Sequence, residues 1–397
     1  MSLSIADSAG AIHVRLATDR GRVVDVDLSS TRRPDLYRRM FIGRSLDDLL
    51  GIVPLIFSVC ATAQAAAAVR ACERAAGVEA ASVQERARDL LVLAENAREH
   101  LLRILLGWSE WLGSPPAASW LAAVGRMRGA WHGALFPEAD GFRLGGGRLR
   151  PDRSALDGLL ADLTEVIAGA LGATPDAWLA VTRPDELASW YRSGDSLAQR
   201  LVRSVTENGW ARLGGSPIEP LPHLPGEQVG RLLAGASAEQ FTAMPEWDEV
   251  PRETGALERQ ARRPLIASLK QELGNGLMTR LAARLAELAS LPSRIRTLLE
   301  GLAPGAPAPA PETPTGSGLA EVEAARGRLI HWVCLDEGVV EDFRILAPTE
   351  WNFHPRGVLS SGLRTLSADA DLARLARLLV DAVDPCVECR IEVDGNT

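Results

Sequence analysis

The densest soft-donor chemistry in this sequence sits near its end, in Asp384-Pro385-Cys386-Val387-Glu388-Cys389. Two thiols three residues apart can turn toward one ion, and the thiolate is the form that binds a metal or attacks a disulfide. The preceding proline restricts how the backbone enters the turn. Spacing alone leaves both a metal site and a redox pair open. A thioredoxin-like C-x-x-C opens a helix beside a βαβ unit, whereas this pair follows a helical run over 372–383, so its partners must come from elsewhere in the chain. Cys60 stands just before a helical segment starting at Ala61, where free N–H groups and the helix dipole favour a thiolate. Cys72 and Cys334 lie outside any motif and read as buried thiols.

The elements that must position these residues follow from periodicity and punctuation. Residues 12–28 alternate around Asp19-Arg20-Gly21 and predict a hairpin. A helix is expected from Ser45, a good N-cap, to about Val53, with Pro54 as its stop. Another runs over 61–76 and ends at Gly77. A long helix over 82–112 carries Glu95, Glu99 and His100 and suits a bundle core. Further helices are expected over 154–171, 186–201 and 254–302, then a proline-rich, extended break over 303–318, poor in core residues. Residues 328–335 and 339–346 predict a second hairpin, and 369–383 a last helix. The expected class is α+β, predominantly α, a central antiparallel helix bundle with small terminal β-hairpins. If Cys60 joins the rear pair, the two ends of the chain must converge.

Composition excludes more than it assigns. The 397 residues are 46% hydrophobic and 24% charged, ordinary for a globular protein, and the formal net charge is −8. Nothing there favours nucleic acid or an anionic membrane as partner. The most apolar early stretch, 49–59, is shorter than the ~20 residues a spanning helix needs. An odd number of cysteines without a secretory signal fits reduced thiols in the cytoplasm. The Gly145-Gly146-Gly147 run lacks the lysine and the strand-to-helix setting of a phosphate loop.

Read together, the motifs resemble the large subunit of nickel-iron hydrogenases. The resemblance rests on Arg326-Gly327-Arg328-Leu329-Ile330-His331-Trp332, then Pro348-Thr349-Glu350-Trp351-Asn352 with Pro355-Arg356, then the closing Asp-Pro-Cys-x-x-Cys. At the front, Phe41-Ile42-Gly43-Arg44 and Val59-Cys60-Ala61-Thr62-Ala63-Gln64 match in the same order. It covers about 10–110 and 320–392. One large-subunit-like domain over 1–397 is implied, made of 1–112, a divergent helical middle 113–302, the linker 303–318 and the block 319–397.

The departures carry the functional expectation. In that family each end supplies two cysteines to nickel, and the second of each pair also bridges to iron. Here Phe57 takes the first front position, while Cys60, Cys386 and Cys389 occupy the others. Gln64 and Glu392 stand where the family has histidine, and Ala9 where it has an early glutamate. With the sequence stopping at Thr397, no counterpart of the tail removed after nickel insertion is expected. The pattern is similar to the HupK (HoxV-type) hydrogenase expression/formation proteins, paralogues of the large subunit.

That resemblance implies a non-enzymatic assembly scaffold. It would receive an iron carrying two cyanides and one carbon monoxide from the maturation complex that builds it, and pass it to the hydrogenase large subunit, with no nickel. Cys60 and Cys389 would be the iron ligands, with Cys386 undecided. Arg326 would approach the cyanides and Asp384 would orient Arg326. An active large subunit and a cofactor-free chaperone are the alternative readings. Trp351, Asn352 and Arg356 read as fold determinants at a turn.

Overall fold

The computed structural model describes residues 10–57, 59–115 and 117–395. Its first element is the expected hairpin, β1 (Ala11–Asp19) and β2 (Arg22–Ser30), turning through Arg20 and Gly21, both at positive φ. Ile12, Val14 and Leu16 face inward and are buried, while the residues between them face out. Helices α1 (Pro34–Phe41), α2 (Leu46–Ile56) and α3 (Ala61–Ala76) follow. Ser45 caps α2 by accepting from Asp48 N. That helix runs two residues past Pro54 rather than stopping there, because proline forfeits a single interior hydrogen bond. Gly77 ends α3 in the left-handed conformation, as expected.

Helix α4 (Ser82–Leu102) does not end where its α-helical bonding ends. It continues as a π-helical stretch, Arg103–Trp108, before a last short turn, so the expected helix over 82–112 is present with a widened segment that begins at Arg103. Helix α5 (Ala118–Leu135) packs beside it, and α6 (Arg153–Leu171) packs against α5. The expected helix 254–302 is three helices, because Pro264 restarts the chain and Gly274, at φ 74, interrupts it. The last of these, α7 (Leu277–Glu300), is buried continuously from Leu277 to Pro292 and forms the axis of the bundle. Likewise the helix expected over 186–201 divides into Pro184–Arg192 and Leu197–Glu207, the second restarted by a Ser196 and Gln199 capping box.

The C-terminal hairpin is one strand larger than expected. Strands β3 (Gly316–Ala324), β4 (Gly327–Asp336) and β5 (Val339–Leu346) form an antiparallel sheet. The reason β3 carries Gly-Ser-Gly is steric. A Cβ on Gly318 would stand 2.1 Å from Ala71 O, so the alanine-rich face of α3 lies flush on this strand. The proline-rich segment is pinned: Gly305 exchanges two 3.0 Å backbone bonds with Leu149, and Ala308 N donates to Gly145 O at 2.8 Å.

After α8 (Leu372–Val383) the chain turns through Asp384 in the left-handed conformation (φ 69) into β6 (Glu388–Gly395). Strand β6 pairs in parallel with β1, giving the order β2-β1-β6. The two ends of the described chain therefore meet in one sheet. Among the described residues no helix is long and apolar enough to cross a membrane.

Candidate functional site

Cys60 is the N-cap residue of α3, yet its side chain caps nothing. Glu95 on α4 does that work, its two oxygens accepting from Thr62 N (2.8 Å) and Ala63 N (2.9 Å). The Cys60 sulfur is thereby left for the cavity in front of the helix. Cys386 reaches the same cavity from the turn between α8 and β6, and Phe57, Arg32, Arg326 and Glu99 complete its functional wall. The remaining wall includes Ala324, Leu329 and Pro348. The volume is about 50 Å³, room for a few water-sized groups at roughly 10–15 Å³ each.

The sulfurs have unequal surroundings. Cys386 Sγ accepts from Arg32 Nη1 at 2.8 Å and lies 3.0 Å from Thr349 Oγ1. Among the described residues, Cys60 Sγ accepts only from the Gln64 amide, at 3.7 Å. Burial, then the nearby Cys386 and Glu95, push the Cys60 thiol up to about 12, against a smaller opposing pull from Arg326. Burial thus opposes the thiolate that the helix N-terminus favours.

Gln64 is itself fixed by His331 on β4, whose Nε2 lies 2.6 Å from Gln64 Oε1 and so donates to it. Burial holds the His331 imidazole down to about 3 from an ordinary 6.5, leaving it neutral. A depressed folded value means that the unfolded chain takes up the proton first. His331 then contributes stability fully present above pH 6.5 and lost as pH falls toward 3. Urea titrations from pH 7 to pH 4 are expected to show this acid loss, and a His331→Asn variant to flatten it.

Arg326 is placed by backbone geometry. It sits in the tight connection between β3 and β4, where Gly327 (φ 132) leaves no room for a side chain: a Cβ would stand 2.6 Å from Thr254 Cγ2. Asn352 clamps the crossing, its Nδ2 donating to Thr254 O (2.9 Å) and Arg326 O (3.3 Å) while its Oδ1 accepts from Thr254 N (2.9 Å). The guanidinium then donates through Nε to Pro385 O (3.3 Å) and through Nη1 to Glu99 (3.2 Å), with Nη2 at 3.4 Å from Asp384. Asp384 also accepts from Arg103 Nε (2.9 Å) and Arg284 Nη1 (3.2 Å). Burial alone would raise its carboxyl, but Arg103, Arg326 and Arg284 hold it well below the usual carboxylate range.

The cysteine pairing expected from the sequence is corrected by this arrangement. Cys389, 3% exposed, is not among the residues lining the cavity. It lies opposite Ile12 in the β1-β6 ladder and packs in the main hydrophobic core, with burial pushing its thiol up to about 11. The reason is strand alternation: once β6 pairs with β1, Cys389 shares the inward face with Ile12, while Cys386 precedes the strand and is free to turn into the cavity. Cys60 and Cys386 are the two thiols brought together.

Other expected positions are distributed as follows. Phe57 fills the front position with its ring tilted 43° against that of Tyr37, centroids 5.1 Å apart. Glu392 faces outward beside Arg15, and Ala9 lies outside the described residues. Cys72 is fully buried, but Cys334 is half-buried beside Glu341 rather than enclosed. Arg32, Glu99, Thr349, Arg103 and Arg284 escaped the sequence reading as site residues. Glu99 and Thr349 sat inside named segments, whereas Arg32, in a run of Ser-Ser-Thr-Arg-Arg-Pro, carries no local signal. Among the described residues no three His, Cys, Asp or Glu side chains converge as a metal site.

The chain matches the nickel-dependent hydrogenase family over residues 243–391. It is 31% identical to the hydrogenase expression/formation protein HupK of Azotobacter vinelandii over 389 residues, covering 97% of this chain and 99% of that protein. Identity to the hydrogenase expression/formation protein HoxV of Cupriavidus necator is also 31%, covering 97% and 96%. Among solved structures, a Ni-Fe-Se hydrogenase from Desulfovibrio vulgaris Hildenborough superposes with a TM-score of 0.68 at 16% identity, over 93% of this chain and 94% of that one. The Ni-Fe-Se hydrogenase of Desulfomicrobium baculatum gives 0.60 at 18% identity, over 94% and 95%.

Proposed function

We propose, from the premise that this chain belongs to the HupK and HoxV hydrogenase expression/formation proteins and has a role in hydrogenase maturation, that its cavity is a transient cradle for an iron fragment. The fragment is iron with two cyanides and one carbon monoxide, received from the complex that makes it and handed to the hydrogenase large subunit. The observation that supports this most is the pairing of Cys60 and Cys386 in one small cavity with two buried guanidinium groups.

The donor set matches the cargo's chemistry. Low-spin iron with strong-field ligands is a soft centre suited to thiolates. With two thiolates it carries a net charge of about −2, which needs fixed positive charge in a cavity that excludes water. Arg326 supplies such charge, and Asp384 with Glu99 holds it in place. The apolar wall around Ala324 and Leu329 suits carbon monoxide. Phe57 puts a phenyl ring where a nickel thiolate would be required, so the site takes iron without nickel, and the role is one of carriage without turnover.

Metal analysis of protein produced together with the maturation machinery and purified without oxygen tests this reading. About one iron and no nickel per chain is expected. Protein containing nickel, or devoid of both metals under those conditions, would contradict it.

A further inference from the structure

Arg32 enters the cavity from the loop between β2 and α1, on the side of the sheet that joins the chain ends, whereas Arg326 enters from the β3-β4 turn. Its side chain is 8% exposed. The two guanidinium groups differ in how their donors are used. Arg326 spends Nε on Pro385 O and Nη1 on Glu99, with Nη2 turned to Asp384. The Arg32 guanidinium, among the described residues, donates one hydrogen bond, to the Cys386 sulfur. Its Nε stands 2.9 Å from Glu350 Oε1 but out of hydrogen-bond alignment.

A guanidinium has five N–H donors, and a thiol sulfur is a weak acceptor. The Nε of Arg32 is buried without a hydrogen-bond partner, and a strong acceptor entering the cavity would engage N–H groups that the protein leaves unused. The position of Arg32 fixes where that acceptor must be: within reach of a donor already touching Cys386 Sγ, hence on whatever the sulfur binds. Cyanide nitrogens are acceptors of this kind, and the fragment carries two of them.

We infer that Arg32 is a second cyanide clamp, donating to one cyanide of the iron fragment held on Cys386 while Glu350 anchors the guanidinium from behind. The inference rests on the cavity being an iron cradle. It goes beyond that reading by assigning recognition of the fragment to a residue outside the cysteine and Arg326 motifs. Arg32 then helps to discriminate iron with cyanide ligands from other soft metals, which offer no acceptor at that place.

Infrared spectra of cargo-loaded wild type, Arg32→Gln and Arg32→Lys test it, each protein being produced with the maturation machinery. Wild type should show two cyanide bands and one carbon monoxide band. In Arg32→Gln one cyanide band should move and iron retention should fall about tenfold or more, as for loss of a charge-assisted hydrogen bond. Arg32→Lys preserves the positive charge beside Glu350 and so guards against a folding defect; it should keep more iron yet still move that band, because the planar fork is gone. Cyanide bands at wild-type positions in both variants would overturn the inference while leaving the cradle standing. A wild type without bands would defeat the cradle and this inference together.

Discussion

Cys386→Ala is expected to lose the iron fragment almost completely, and Cys389→Ala to keep it. The sulfur of Cys386 lines the cavity between Arg32 and Thr349, and its removal leaves Cys60 as the single thiol there. Retention should fall by more than the ~10–100-fold typical of losing a mere supporting partner of a metal ligand. Cys60→Ala should behave the same way. Cys389 is packed beside Ile12 in the core, so its truncation should cost stability, about 1 kcal/mol for a small cavity, and leave the iron in place. Iron content per folded chain reads both effects. Retention by Cys386→Ala combined with loss in Cys389→Ala would reverse the pairing and return Cys389 to the site.

The second large effect concerns the support of the cavity. Asp384 is 3% exposed and sits among Arg103, Arg284 and Arg326. Asp384→Asn preserves shape, and asparagine tolerates the positive φ found there. It nevertheless removes the charge that three buried guanidinium groups share, and breaking one partner of a buried ion pair typically costs ~3–5 kcal/mol. Denaturant unfolding at pH 7 should show a loss of that order. The sign with pH follows from the depressed carboxyl: its contribution is present above the unfolded value near 3.8 and is lost as pH falls toward the lower folded value. The gap between wild type and variant should thus narrow in strong acid. A variant within ~1 kcal/mol of wild type at pH 7 would show that the arginines do not depend on Asp384.

Much of this architecture was legible because local rules and global fold agree. The hairpin turn at Arg20-Gly21, the Ser45 cap and the Gly77 stop each follow from residue chemistry and stand where expected. The meeting of the chain ends also followed, since ligands on both demanded it. Strand β3 was hidden because its glycines answer to the approach of α3, a tertiary cause that no strand propensity reports. The π-helical start at Arg103 was hidden likewise, as apolar spacing does not mark it.

The cysteine pair teaches the sharper lesson. C-x-x-C spacing puts both thiols within reach of one ion, and the resemblance to hydrogenase large subunits points to Cys389. Parallel pairing of β6 with β1 instead commits Cys389 to the core face and leaves Cys386 at the cavity. Register between segments more than 370 residues apart decides that, and it leaves no trace in the local sequence. Arg32 was missed for the same reason: its role is defined by the sulfur it meets, which lies at the other end of the chain.

The most direct test of the account is one infrared spectrum of the wild-type protein, produced with the maturation machinery and kept free of oxygen. Two cyanide bands and one carbon monoxide band, on a protein holding iron and no nickel, are the predicted result. A folded protein made under those conditions with none of these bands would contradict the claim that the cavity of Cys60 and Cys386 carries the fragment.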